Sequence, residues 1–148
     1  MSVQDAKMAA NLGITGIVVS NHRGMIAGRW THRDCLVNIV EAVGDEIDIL
    51  FDSGIRYGSD IAKAMAIGAK MVLIGRLYIY GLVLGEEECV GHVLCYFLGD
   101  LTMNLHLAGI PSVSQEDLKT ECLKYGGLYV LDSYCIGCFS STAFGFII

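Results

Sequence analysis

The chain has 148 residues, the size of one domain, and its ten basic and 16 acidic residues give a net charge of −6. This acidic balance argues against a nucleic-acid partner or an anionic membrane surface, because both would need clustered positive charge. A hydrophobic content of 53% excludes a mainly disordered chain. It also indicates either apolar surface that faces a partner or a chain that is part of something larger.

The sequence contains no signal for export and no convincing membrane span. Its N-terminus lacks the basic and apolar stretches of a signal peptide, and its last three residues are not a peroxisomal address. Residues 128–148 are long enough to cross a bilayer, but Asp132 and several Ser and Thr residues argue against a span. We therefore expect a cytoplasmic or other intracellular protein whose six cysteines are reduced thiols.

Strands and helices are predicted to alternate over residues 1–118. The predicted elements are a helix over 1–13, a strand over 16–20, a helix that begins near 31–34 and carries Val43, a strand over 47–51, a helix that opens at Ser59-Asp60 and stops at Gly68, a strand over 71–74, and a helix from Glu86 to about Ala108 that Gly91 and Gly99 weaken. This alternation is typical of a parallel sheet with crossover helices. Three such strands do not close on themselves, so an α/β barrel of this kind would lack roughly five of its eight units. Residues 119–148 have no clear period and are assigned no fold.

The residues that follow each predicted strand carry the strongest chemical signal. These loops are Ser20-Asn21-His22-Arg23-Gly24, Asp52-Ser53-Gly54-Ile55-Arg56 and Gly75-Arg76. In α/β folds, ligands bind at the carboxyl ends of the strands. Gly54 would let a phosphate approach the backbone, Arg56 and Arg76 would supply positive donors, and the helix that opens near Ser59 would add its dipole. Ordinary turns with solvated arginines are an equally good reading of the spacing.

Two other motifs bear on catalysis or metal binding. His22 follows a buried strand and could act as a general base, because the pKa of histidine lies near working pH; a solvated surface histidine is the alternative. Cys135 and Cys138 form one C-x-x-C pair, but no second pair of ligands completes a zinc site. No metal site is therefore predicted.

Two long segments, GIVVSNH at 16–22 and FDSGIRYGSDIAKAMAIGAKMVLIGRLYIYGL at 51–82, together resemble the FMN-dependent 2-hydroxy acid oxidases and dehydrogenases. This family includes glycolate oxidase, lactate oxidase and lactate 2-monooxygenase. The resemblance covers about residues 2–114 and implies a (β/α)8 barrel that binds FMN at its mouth. It implies that residues 1–118 are the last three β/α units of such a barrel, and that 119–148 are a divergent tail.

The resemblance also implies a role for each loop. It makes His22 the base that removes a proton from a small 2-hydroxy acid while the electrons of the substrate pass to the flavin, giving the 2-keto acid. It places Ser20 at the FMN. The residues implied to contact the ribityl chain and phosphate are Asp52, Ser53, Gly54, Ile55, Arg56, Gly75 and Arg76.

The sequence departs from the family pattern after His22. Family members carry an Arg-Gln pair where Met25-Ile26 stands here, and that arginine holds the carboxylate of the substrate. Arg23 and Arg29 are the stand-ins the sequence offers. The first five strands of the family barrel are also missing.

Two hypotheses follow: an FMN-binding oxidoreductase of 2-hydroxy acids, or a truncated, inactive relic that at most binds FMN or phosphate weakly. A homo-oligomer is left open.

Overall fold

A computed structural model describes residues 1–22, 32–114 and 117–118 of the chain. Its elements are α1 (Val3–Asn11), β1 (Gly16–Val19), α2 (His32–Val43), β2 (Asp48–Asp52), α3 (Gly58–Ile67), β3 (Met71–Leu73) and α4 (Arg76–Leu107). The predicted alternation of strands and helices is thus confirmed. Arg23, Arg29, Met25 and the pair Cys135 and Cys138 lie outside the described residues.

The three strands form one parallel sheet in the order β1-β2-β3. Val19 pairs with Phe51, and Phe51 pairs with Val72, so the carboxyl ends of all three strands lie at one edge of the sheet. The side chains of Ile17, Val19, Ile49, Phe51 and Val72 are buried in a core shared with apolar helix residues such as Leu36, Ile39, Ile61 and Phe97. On the opposite face of the sheet, Val18 is exposed and Leu50 is half-buried.

Helix α1 begins with a reciprocal pair of hydrogen bonds. The Asp5 amide donates to the Ser2 hydroxyl at 3.2 Å, and the Ser2 amide donates to the Asp5 carboxylate at 2.8 Å. Such a capping box satisfies amides that the first helical turn cannot pair internally. Hydrogen bonds from the Ser2 amide and hydroxyl lower the pKa of Asp5 below its usual value, because they stabilise the charged carboxylate.

Helix α3 begins earlier than the sequence predicts. Ser59 was expected to cap it, but the helix starts at Gly58, with Tyr57 at the capping position. The Asp60 carboxylate accepts from the amides of Arg56 at 3.1 Å and Tyr57 at 3.2 Å. The Gly58 amide donates to the carboxylate of Asp100, on α4, at 2.6 Å. The amides at the start of α3 are therefore paired with the carboxylates of Asp60 and Asp100, and neither of these residues is the capping residue.

Helix α4 contains one segment that the sequence analysis missed. The predicted helix from Glu86 onward is present, but α4 starts ten residues earlier, at Arg76. Residues 76–84 form a first limb that ends in a break at Gly85 and Glu86, whose backbones are not helical. The helix then passes through Gly91 and Gly99 without interruption, contrary to the weakening expected there. No helix in the described ranges is both long and apolar enough to cross a membrane.

Glu86→Gly is expected to stabilise the protein by about 1 kcal/mol. A non-glycine residue in the left-handed backbone conformation of Glu86 costs on the order of 1–3 kcal/mol. The greater flexibility of glycine in the unfolded chain offsets part of the gain from removing that strain. Glu86 has φ of 52° and ψ of −138°, which glycine adopts without strain. Urea denaturation followed by circular dichroism measures the change. The matched control is Glu87→Gly, which lies in regular helix and should destabilise by about 1 kcal/mol. Equal losses in both variants would contradict strain at Glu86.

Candidate active site at the carboxyl edge of the sheet

The loops that follow β1 and β2 are joined by side-chain hydrogen bonds. Ser20 is the first residue after β1, and Asp52 is the last of β2. The Ser20 hydroxyl donates to the Asp52 carboxylate at 2.6 Å, and the Asn21 amide donates to the Ser53 hydroxyl at 3.3 Å. Three of the predicted site residues, Ser20, Asp52 and Ser53, are therefore brought together, and all three are half-buried.

His22 lies at the same edge, with its backbone held and its side chain exposed. Its amide donates to the Ser20 hydroxyl at 3.2 Å. The Ser20 hydroxyl oxygen thus accepts a hydrogen bond from the His22 amide, while the hydroxyl proton of Ser20 is donated to Asp52. Within the described ranges, no side chain forms a hydrogen bond with the imidazole of His22. An exposed ring at this edge is what a general base that meets a bound ligand needs.

The loop after β2 turns through two consecutive left-handed residues. Ser53 has φ of 81° and Gly54 has φ of 78°. A serine in this conformation is strained, and such strain is concentrated at functional sites. An added Cβ on Gly54 would meet no atom within 4 Å, so open space surrounds the backbone here. The amides of Gly54 and Ile55 have no hydrogen-bond acceptor among the described residues, and the Arg56 side chain is exposed.

Gly75 and Arg76, after β3, lie at the start of α4. Both are exposed, and a Cβ on Gly75 would also meet open space. The first amides of a helix carry partial positive charge, so an anion is favoured at this end. At the start of α3, the Gly58 amide donates to Asp100, and the amides of Arg56 and Tyr57 just before the helix donate to Asp60. A contribution of the dipole of this helix to phosphate binding stays a prediction.

No local pattern in the sequence indicates the role of Asp100. This residue is 42 positions from Gly58 in the chain, and only the packing of α4 against α3 brings the two together. The role of Asp60 was foreseeable only in part, because its place in the first turn was predicted but its backbone partners were not. In the part of the chain that is described, no group of three or more His, Cys, Asp or Glu side chains could hold a metal ion.

The chain is a β/α protein with hydroxyls, open amides and arginines at the carboxyl edge of its parallel sheet. These groups suit a phosphorylated ligand. A family model described as FMN-dependent dehydrogenase matches residues 1–124, and the chain belongs to this family. The predicted family resemblance is thereby confirmed, and FMN is the cofactor of the family.

Similar proteins agree with this assignment. The chain is 55% identical over 124 residues to an FMN-dependent alpha-hydroxy acid dehydrogenase of Schizosaccharomyces pombe, a match that covers 83% of this chain and 30% of that protein. It is 42% identical over 118 residues to an L-lactate oxidase of Lysinibacillus sphaericus, covering 79% and 30%. A structure of mandelate oxidase with benzoyl-formic acid superposes with a TM-score of 0.71 at 38% identity, covering 76% of this chain and 34% of that one. The chain therefore spans about a third of the length of these relatives.

Proposed function

We propose that the carboxyl edge of this sheet binds the ribityl and phosphate part of FMN, and that the chain supplies the base for oxidation of a small 2-hydroxy acid. The observation that carries the proposal is the hydrogen-bonded junction of Ser20, Asp52 and Ser53. It joins two strand-end loops beside His22, in a chain of an FMN-dependent family. The named substrates of the relatives, an alpha-hydroxy acid and L-lactate, support this class of substrate.

The three β/α units are proposed to be the last three of an eight-unit barrel, formed by residues 1–118, with 119–148 as a separate tail. The parallel order β1-β2-β3 supports this, since consecutive barrel strands are neighbours in that order. The incomplete burial of Val18 and Leu50 on the other face of the sheet supports it as well, because side chains of the other strands would fill the barrel interior.

The residues at the edge fit FMN. The Ser53 hydroxyl and the Asp52 carboxylate suit the hydroxyls of a ribityl chain, and the open amides of Gly54 and Ile55 suit phosphate oxygens. Arg56 and Arg76 would add charge-assisted hydrogen bonds to the phosphate. When bound, FMN takes up the two electrons of the substrate. His22 would accept the proton that the 2-hydroxy acid loses, at an imidazole nitrogen that no described side chain occupies.

Removal of both arginines, in Arg56→Ala/Arg76→Ala, is expected to weaken FMN binding by at least about a hundredfold, since each hydrogen bond to a charged group contributes about 1.5–3 kcal/mol and each ~1.4 kcal/mol is tenfold in affinity. Quenching of flavin fluorescence on titration gives the dissociation constant. Lys7→Ala is the control, because it removes an equally exposed cation from α1. Equal binding by the double variant and by the unaltered chain would sink the proposed phosphate site.

A second candidate is the inactive relic, which at most binds FMN or phosphate weakly and turns over no substrate. One observation favours it: the sequence has Met25-Ile26 where the family carries the Arg-Gln pair. Turnover of a 2-hydroxy acid separates the two candidates.

A further inference from the structure

The loop that follows β2 is fixed by hydrogen bonds at both of its ends. At its start, the side chains of Asp52 and Ser53 are hydrogen-bonded to the loop that follows β1. At its end, the Asp60 carboxylate accepts from the amides of Arg56 and Tyr57. The open amides of this loop therefore lie between two anchored positions.

Asp60 makes both bonds at the end of the loop with one oxygen atom. Its Oδ2 lies 3.1 Å from the Arg56 nitrogen and 3.2 Å from the Tyr57 nitrogen. Asp60 is half-buried and belongs to the first turn of α3, whereas both amides precede the helix. A side chain of the helix thus fixes the orientation of the last two peptide groups of the loop. The next amide, that of Gly58, donates to Asp100, so the end of the loop is tied to two helices.

The charge of Asp60 is unfavourable for the phosphate proposed at this loop. A carboxylate repels a phosphate group, and the repulsion is stronger near a protein surface than in bulk water. Any benefit of Asp60 to phosphate binding must therefore come from its hydrogen bonds and not from its charge. Its bond to the Arg56 amide also fixes the backbone from which the Arg56 side chain extends.

We propose that Asp60 is a positioning residue for the phosphate of FMN. It acts through the backbone of residues 56–57, and so holds the open amides of Gly54 and Ile55 in the conformation that binds the phosphate. A loop that is ordered before the ligand arrives binds it more tightly, because binding does not then have to order the loop. This inference rests on the proposed function, since it concerns the same phosphate site.

Two substitutions of Asp60 separate its hydrogen bonds from its charge. Asp60→Ala removes both, and we expect it to weaken FMN binding about tenfold, because the loop must then be ordered on binding. Asp60→Asn removes the charge but keeps an oxygen that can accept both bonds, so its affinity for FMN should stay within about twofold of that of the unaltered chain. Quenching of flavin fluorescence, on titration of FMN with the full chain, gives the dissociation constants.

Asp5→Ala is the matched control. Asp5 holds the same position in α1 that Asp60 holds in α3, and its carboxylate accepts from the Ser2 amide at 2.8 Å. Both alanine variants should have a lower urea midpoint than the unaltered chain, because each loses bonds at the start of a helix. Only Asp60→Ala should bind FMN more weakly. A role in helix stability alone would lower both midpoints and leave both affinities unchanged.

A titration of the unaltered chain tests the same inference without any substitution, and it decides alone if Asp60→Ala does not fold. In ¹H–¹⁵N NMR spectra, added FMN should shift the amide signals of Gly54 and Ile55 most, because these amides are open. The signals of Arg56 and Tyr57 should shift less, because their bonds to Asp60 persist. Riboflavin, which lacks the phosphate, should shift the Gly54 and Ile55 signals much less than FMN does.

The outcomes distinguish a failure of this inference from a failure of the proposed function. Three results would each overturn the role of Asp60 and leave the proposed function standing: unchanged FMN affinity in Asp60→Ala, an equal loss in Asp60→Asn and Asp60→Ala, or the largest amide shifts at residues 56–57. An unaltered chain that binds FMN no more tightly than riboflavin would overturn the proposed phosphate site, and this inference with it.

Discussion

Gly58→Ala is expected to lower the free energy of unfolding by about 3–5 kcal/mol, combining the strain of an overpacked core with the loss of a charge-assisted hydrogen bond. A Cβ at residue 58 would lie 2.1 Å from the Leu101 amide nitrogen and 2.5 Å from its Cα. These are backbone atoms of α4, so no side-chain rotation relieves the clash. Helices α3 and α4 would have to separate, and the bond from the Gly58 amide to Asp100 would break.

The consequences reach the core, because Leu101, Phe97 and Leu105 are fully buried in α4. Urea denaturation, followed by far-UV circular dichroism, measures the loss. The control is Gly99→Ala in the same helix, where a Cβ meets no atom within 4 Å. This control should gain about 0.5–1 kcal/mol, because alanine is favoured over glycine in a helix interior. A Gly58→Ala chain with the native urea midpoint would show that α3 and α4 do not approach as closely as described.

The strands were predictable because each is a short run of apolar, mostly β-branched residues that ends at a polar or glycine residue. The first limb of α4 was not predictable in the same way. Periodicity detects a helix only when one side is polar, and residues 77–84 have no polar side. The start of α3 was misplaced for another reason, since Asp100 closes it from 42 positions away. Local rules for capping contain no information about such a partner.

Much of the candidate site could be predicted, because parallel strands must bring their carboxyl ends to one edge. The sequence placed Ser20, Asp52 and Ser53 at strand ends, and the structure adds the hydrogen bonds between them. It could not show that the Ser20 hydroxyl joins His22 to Asp52, because that depends on the register of β1 against β2.

The His22 amide donates a hydrogen bond to the Ser20 hydroxyl, and that hydroxyl donates to the Asp52 carboxylate. The imidazole ring of His22 is exposed. This arrangement suits a base that meets a substrate bound by other units of the proposed barrel. We therefore expect turnover when those units are added to this chain as a second polypeptide. The part of the S. pombe relative that the match does not cover can provide them.

In such a complemented enzyme, His22→Gln is expected to lower the rate of 2-hydroxy acid oxidation by about a thousandfold, because a positioned general base contributes on the order of 10²–10⁴. FMN binding should stay unchanged, since the flavin contacts proposed here come from other residues. The measurement is anaerobic flavin reduction by lactate, glycolate or mandelate. His106→Gln is the control, an exposed histidine on α4 whose ring bonds to the Thr102 carbonyl, away from the carboxyl edge.

Each outcome of this experiment separates the two functions. Rapid reduction with the unaltered chain and slow reduction with His22→Gln would assign the base. Equal rates in the two would remove His22 from that role, because proton transfer would then proceed without it. A complex that binds FMN, yet shows no reduction even with the unaltered chain, would favour the inactive relic. The sequence at Met25-Ile26 would then be the first place to restore, because the arginine that the family uses to hold the substrate carboxylate is absent there.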